Sequence, residues 1–329
     1  MYWKSGALIG LTLMGAVTFE SVKYAPTQPG PEFTREVTVP SGHTARACDG
    51  GESYQGLIDD LPDEGDLAGW ERLAQGVSEA LDCTMWTIPG QHDSMMHSVF
   101  LARGVVGHAE WLQERGRYRD ATTVLLDLWA VGQNLQDGSL FQHAIALAVQ
   151  EHATAGLDAA VALLPSHQQR SLVEPILDIL DRSPAIDASG ELEWAEKGES
   201  LVYPLVRPFC KSGRAEAVKL VRPALASTGP HRFDAIDEAW NNQSSSLVST
   251  RHWCQSGTVR LAAKMIWNQA DLQQNAAVLV SELALQGQCP SNLSAVMSRV
   301  PVDPVTGAAL AYSSCEVRPV DLPGEPMWM

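Results

Sequence analysis

The 329-residue chain is short of positive charge, of charge altogether and of long apolar runs. Lys and Arg number 23 against 39 Asp and Glu, a formal net charge of -16 at pH 7 with histidine neutral. Nucleic acid is held through clustered cations that neutralise phosphates, so no nucleic-acid partner is expected of so acidic a chain. Charged residues make up 19% and hydrophobic residues 45%, a balance that excludes disordered and collagen-like chains. No C-x-x-C occurs, which removes the zinc-ribbon and thioredoxin-type patterns. G-x-S-x-G, the P-loop, a strand-led G-x-G-x-x-G and H-E-x-x-H are also missing.

One segment approaches a membrane span. Between Lys4 and Glu20 lie the fifteen uncharged residues SGALIGLTLMGAVTF. As a helix they would rise only about 22 Å, against a hydrocarbon core of roughly 30 Å. Tyr2, Trp3, Phe19 and Tyr24 flank the run, and no A-x-A-like site precedes Pro26. Those features favour a retained anchor over a cleaved signal peptide, with a buried soluble helix as the third reading. With Lys4 on the cytoplasmic side, the bulk of the chain would lie beyond a bacterial inner membrane, in the periplasm.

Six cysteines follow: Cys48, Cys83, Cys210, Cys254, Cys289 and Cys315. An oxidising compartment would pair them, and six allow about fifteen connectivities. Cys254 and Cys289 flank a long expected helix and cannot meet within the roughly 7 Å a bridge requires. The favoured scheme is sequential, Cys48 with Cys83, Cys210 with Cys254, and Cys289 with Cys315. The alternative is six reduced thiols packed as small hydrophobes.

The organisation reads as four segments: an anchor over 1–24, a Pro-rich extended tether over 25–52, an α-helical body over 53–287 and a Pro-rich hairpin tail over 288–329. Within the tether, the alternation of Phe33, Arg35, Val37 and Val39 could add a strand to something else. The body shows apolar residues at three- and four-residue spacing and no sustained period-two alternation, so an all-α fold of stacked antiparallel hairpins is expected. The spacing predicts helices over Asp66 to Leu81, His92 to Glu114, Arg119 to Leu135, Leu140 to Leu164, Gln168 to Asp181 and Val259 to Leu285. LQERGRYRDATTVLLDLW has a tetratricopeptide-like cadence turning at Gly116, and FCKSGRAEAVKLVRPAL repeats it around Gly213, too far off to establish a tandem array. A turn at Asp303 to Gly307 leads into a short hairpin.

The run from Val259 to Tyr312 resembles the tail of uncharacterised helical proteins of the bacterial envelope. The residues that carry the likeness are Arg260-Leu261-Ala262-Ala263, Gly287-Gln288-Cys289-Pro290, Leu293, then Pro301, Asp303, Pro304, Thr306 and Gly307 with Leu310 and Tyr312. Cys289 stands where that pattern has Tyr, which makes a bridge to Cys315 attractive. The resemblance implies an envelope location and no known chemistry. The tail also looks like the end of a type II secretion pseudopilin, but the front of the chain does not match that pattern.

Few residues suggest chemistry. His92, Asp93 and His97, with His108 further along the same helix, form the densest polar group. His92 and His97 point in different directions, so Asp93 reads as a helix cap and neither metal nor cofactor is expected. Glu191, Glu193, Glu196 and Glu199 beside Lys197 read as a solvated face. Asp59, Asp60, Asp63, Glu64 and Asp66 lack calcium-loop spacing. His231, Trp240, His252 and Trp253 could line a glycan groove. No catalytic residue stands out, and the leading expectation is a non-enzymatic, envelope-anchored scaffold that binds a protein partner or joins a membrane assembly. The alternative is a cell-wall or glycan hydrolase with a cleft lined by His and Trp.

Overall fold

A computed structural model describes residues 33–63, 65–88, 92–136, 140–183, 186, 207–227, 229–243 and 250–324, without the side chains of 92–95, 141, 207–211 and 250–254. The described chain is mostly helical, with a small sheet that corrects the all-α expectation. The anchor segment, Glu191 to Glu199 and Glu64 lie outside the described residues, as do the side chains of His92, Asp93, Cys210, His252, Trp253 and Cys254. No helix among the described residues is long and apolar enough to cross a membrane.

The sheet has the order β1 (Phe33–Glu36), β3 (Cys83–Ile88), β2 (Arg46–Asp49), with β1 antiparallel and β2 parallel to the central strand. Trp86 and Ile88 point into the core while Met85 and Thr87, on the opposite face, stay half exposed, the period-two pattern of a sheet with one covered face. Asp49 joins sheet to helix. Its carboxylate accepts from Gly51 N (2.9 Å) at the start of α1 (Gly50–Asp59), from Thr87 N (2.8 Å) and from the Thr87 hydroxyl. A Cβ on Gly51 would stand 2.0 Å from Thr87 O, so this approach tolerates only glycine.

Residues 33–49, expected as part of an extended tether, are therefore fastened to the body. Arg35 donates to Gln133 O (2.8 Å) and Arg182 reaches back to Thr38 O (2.9 Å). His43 bridges two carboxylates, Nδ1 to Asp82 at 3.3 Å and Nε2 to Asp127 at 3.0 Å.

After α2 (Leu67–Ala80), capped by Asp66 on Gly69 N, come α3 (His92–Glu114), α4 (Tyr118–Asn134), α5 (Leu140–Val161), α6 (Ser166–Ser171) and α7 (Val173–Asp181). Gly116, at φ 74°, breaks α3 from α4 where the cadence places it. The second turn, around Gly213, does not exist. α8 (Arg207–Ala226) runs straight through that residue, because Ala217, Val218, Val221 and Ala224 form one continuous buried stripe. After α9 (His231–Asn241), α10 (Thr250–Leu285) extends for 36 residues, about 54 Å at the helical rise.

This long helix belongs to two cores. Its C-terminal part, Ala276 to Leu285, closes the larger core with Trp86, Leu101, Leu125, Trp129, Leu157 and Ile176. Its earlier part, Val259 to Leu272, packs with α8, α9 and the first turns of α5 in the smaller one. A short hairpin, β4 (Ala311–Ser313) with β5 (Glu316–Arg318), completes the described chain. Cys48 with Cys83 and Cys289 with Cys315 each lie at disulfide distance, with Cα atoms 4.8 Å apart.

Candidate functional site: a cavity around a buried arginine

The tail motif turns out to be architecture. Asp303 is 2% exposed and accepts from Val305 N (2.8 Å) and Thr306 N (3.0 Å) through one oxygen, and from Val320 N (3.0 Å) through the other. Burial disfavours its charge, but these donors and the Gln274 amide outweigh that and hold the carboxyl below the usual range. Gly307 N closes the turn on Asp303 O at 2.8 Å. Gly307 and Gly229, both at positive φ, pack back to back, so that a Cβ on Gly229 would meet the Gly307 backbone at 3.3 Å. Tyr312 leans on the larger core. The motif thereby seats the tail on the link between α8 and α9.

That seating encloses a cavity of about 400 Å³ between α7, α8, α9, α10 and the tail. Pro301, Asp303, Pro304 and Gly307 form one wall, while Leu177, Leu225 and Ile266 line the others. Arg232 enters from the first turn of α9. It lies on that helix's buried face with Phe233 and Ile236, 7% exposed, its guanidinium 5.2 Å from the Phe233 ring. Phe233 is fixed edge-on to Trp267 at 4.7 Å, and Trp267 donates to Pro323 O at 2.8 Å.

Among the described residues Arg232 has no counterion. Its Nε and Nη2 are buried without any hydrogen-bond partner. Burial alone pushes its pKa down, to about 10, with no carboxylate acting on it. The two acids of the lining are committed elsewhere, Asp303 to its turn and Asp181 to Arg299. Arg299, the other cation of the lining, also meets Glu174 (3.0 Å) and Asp178 (2.8 Å). A buried, unpaired guanidinium costs several kcal/mol in an apolar setting, so an anion that enters the cavity gains the interaction the protein itself withholds.

The histidines of the sequence reading do not assemble among the described residues. His97 is exposed beside Phe100, at 6.3 Å between rings. His108 is buried and stacked on Trp111 at 5.5 Å, and burial lowers its pKa. His231 is exposed at the head of α9, and the guanidinium of Arg260 lies 5.2 Å over the ring of Trp240. Among the described residues no group of three or more His, Cys, Asp or Glu could hold a metal ion. Arg232 itself was overlooked, although an arginine on the apolar face of RFDAIDEAW, four residues before Ile236, is a visible signal. No family model matches the chain, and no curated protein or solved structure matches it.

Proposed function

We propose that this chain is a non-enzymatic interaction protein of the bacterial envelope, carried on an N-terminal anchor, whose helical body captures a partner instead of transforming a substrate. The observation that carries the reading is the cavity at Arg232, which offers a charge that no described residue compensates, set among apolar side chains. The two cysteine pairs at disulfide distance support an oxidising location. Among the described residues, the histidine held between acids is His43, whose ring nitrogens are both occupied and which works as a fastening.

Fractionation of the native host tests the reading, combined with alkylation before and after reduction and an intact mass of the recovered chain. The expected result is recovery with membranes, thiols blocked until reductant is added. Recovery in the cytosol with all six thiols reactive would overturn it.

A further inference from the structure

We propose that the Arg232 cavity binds a small carboxylate carried on an apolar body, gripped by the Nε–Nη2 edge of the guanidinium. The proposal deepens the binding role above and rests on it. The two unpartnered donors lie on the same edge of the guanidinium fork. That edge presents two parallel N–H groups with the spacing of the two oxygens of a carboxylate. The site therefore lacks a planar, two-oxygen acceptor, and no described residue supplies it.

Charge decides between oxyanions. Arg299 is saturated by Glu174, Asp178 and Asp181, so Arg232 is the one uncompensated cation among the described lining residues. A phosphate monoester carries about -1.5 to -2 at pH 7 and would bring surplus negative charge beside Asp181 and Asp303. A monocarboxylate is neutralised one for one. Beside the uncharged polar side chains of Ser183, Ser227, Gln269 and Gln273, the lining offers apolar surface for the body of the ligand: Leu177, Leu180, Ile186, Leu225 and Ile266 inside, with Val302 standing 57% exposed. The volume of about 400 Å³ suits a small molecule or the end of a chain.

The test is calorimetric titration of the purified, oxidised full chain with octanoate, octyl phosphate and octanol, repeated on Arg232→Met and Arg232→Lys. Octanoate is expected to bind the wild type, at least tenfold more weakly to Arg232→Met, and in between to Arg232→Lys. Octyl phosphate should bind more weakly than octanoate, and octanol should give no saturable heat. Ligand-free Arg232→Met should melt at or above the wild-type temperature, because it removes a buried unpaired charge while keeping an apolar stem. Unchanged octanoate affinity in Arg232→Met, octanol equal to octanoate, or octyl phosphate the tighter ligand would overturn the assignment. So would a lower melting temperature for Arg232→Met, which would make the arginine a structural strut. Failed titration with membrane recovery intact would remove this inference alone. Cytosolic recovery with octanoate binding intact would remove only the envelope reading.

Discussion

His43, beside the larger core, and Arg232, beside the smaller one, are basic side chains treated in opposite ways. Both ring nitrogens of His43 meet carboxylates, Asp82 and Asp127, and its pKa is raised, chiefly by the Asp127 hydrogen bond. Arg232 is more deeply buried and meets none. Two cysteine pairs lie at disulfide distance, Cys48 with Cys83 in the sheet and Cys289 with Cys315 in the tail, whose Leu293 and Tyr312 also pack on the larger core. The difference teaches how to tell a fastening from a receptor. A cation whose partners come from the same chain holds that chain together, whereas one left desolvated and unpaired weakens the fold until something else supplies the anion.

The largest expected effect comes from the crosslinks. Cys48→Ser with Cys83→Ser opens a separation of 35 residues, and Cys289→Ser with Cys315→Ser one of 26. The chain-entropy relation puts the losses at about 4 and about 3.5 kcal/mol. Urea denaturation of the two double variants checks this. Near-equal losses would leave the charges as the source of the asymmetry between the two regions.

Asp127→Asn comes next. Removing one carboxylate from a largely buried pair should cost about 3 kcal/mol, and a loss too small to measure would dissolve the contrast with Arg232. The pH dependence has a definite sign. The raised His43 pKa means that its contribution is whole below the ordinary 6.5 and is lost as pH climbs through the raised value. The Asp82 pKa is lowered, first by the Thr44 N–H, so its contribution is whole above 3.8 and is lost as pH falls through the lowered value. The latch is therefore whole between about pH 4 and 6.5, so wild-type denaturation midpoints should be level within that range and fall on either side of it, with the fall above it smaller in Asp127→Asn.

Glu151, on the helix shared by both cores, tests a third treatment of buried charge. Burial first, then nearby Asp271, raises its pKa to about 7. A raised acid stabilises the fold fully below its ordinary 4.5 and loses that contribution as pH rises through about 7. Glu151→Gln should therefore gain about 3 kcal/mol over the wild type at pH 8 and nothing at pH 4, measured by thermal melts at both. The smallest effect is expected at Arg299, whose side chain is 43% exposed. Arg299→Gln should cost about 1 kcal/mol, shrinking in high salt.

Much of the helical framework is legible along the chain. Apolar spacing places His92–Glu114 at its observed bounds, and the starts near Leu67 and Leu140 follow from a capping Asp66 and the return of periodicity. Of the sheet, only β1 is, through the alternation from Phe33 to Val39; β2 and β3 become recognisable only once paired. CTMWTI is six residues long, and its parallel partner β2 lies far upstream, with Arg46 opposite Cys83. Gly50-Gly51 reads as linker by propensity, yet opens a helix because nothing larger fits against Thr87. Of the candidate site, the tail turn is legible in Pro301 to Gly307 and the place of Arg232 on an apolar helix face is too, but its burial without a partner is not. Arg232 sits in an otherwise amphipathic helix, where its burial depends on Gly229 and Gly307 bringing two distant segments together.

Local chemistry alone determined the helical periods, the acidic surface, the Gly116 break and the turn around Asp303, since each rests on residues within one or two helical turns of one another. Only the tertiary structure decided that a strand from the supposed tether joins the body, that Gly213 interrupts nothing, and that one guanidinium ends in a cavity unpaired by any described residue. Those outcomes depend on which surfaces meet, and burial, the quantity that turns an ordinary arginine into an unpaired charge, exists only after they have met.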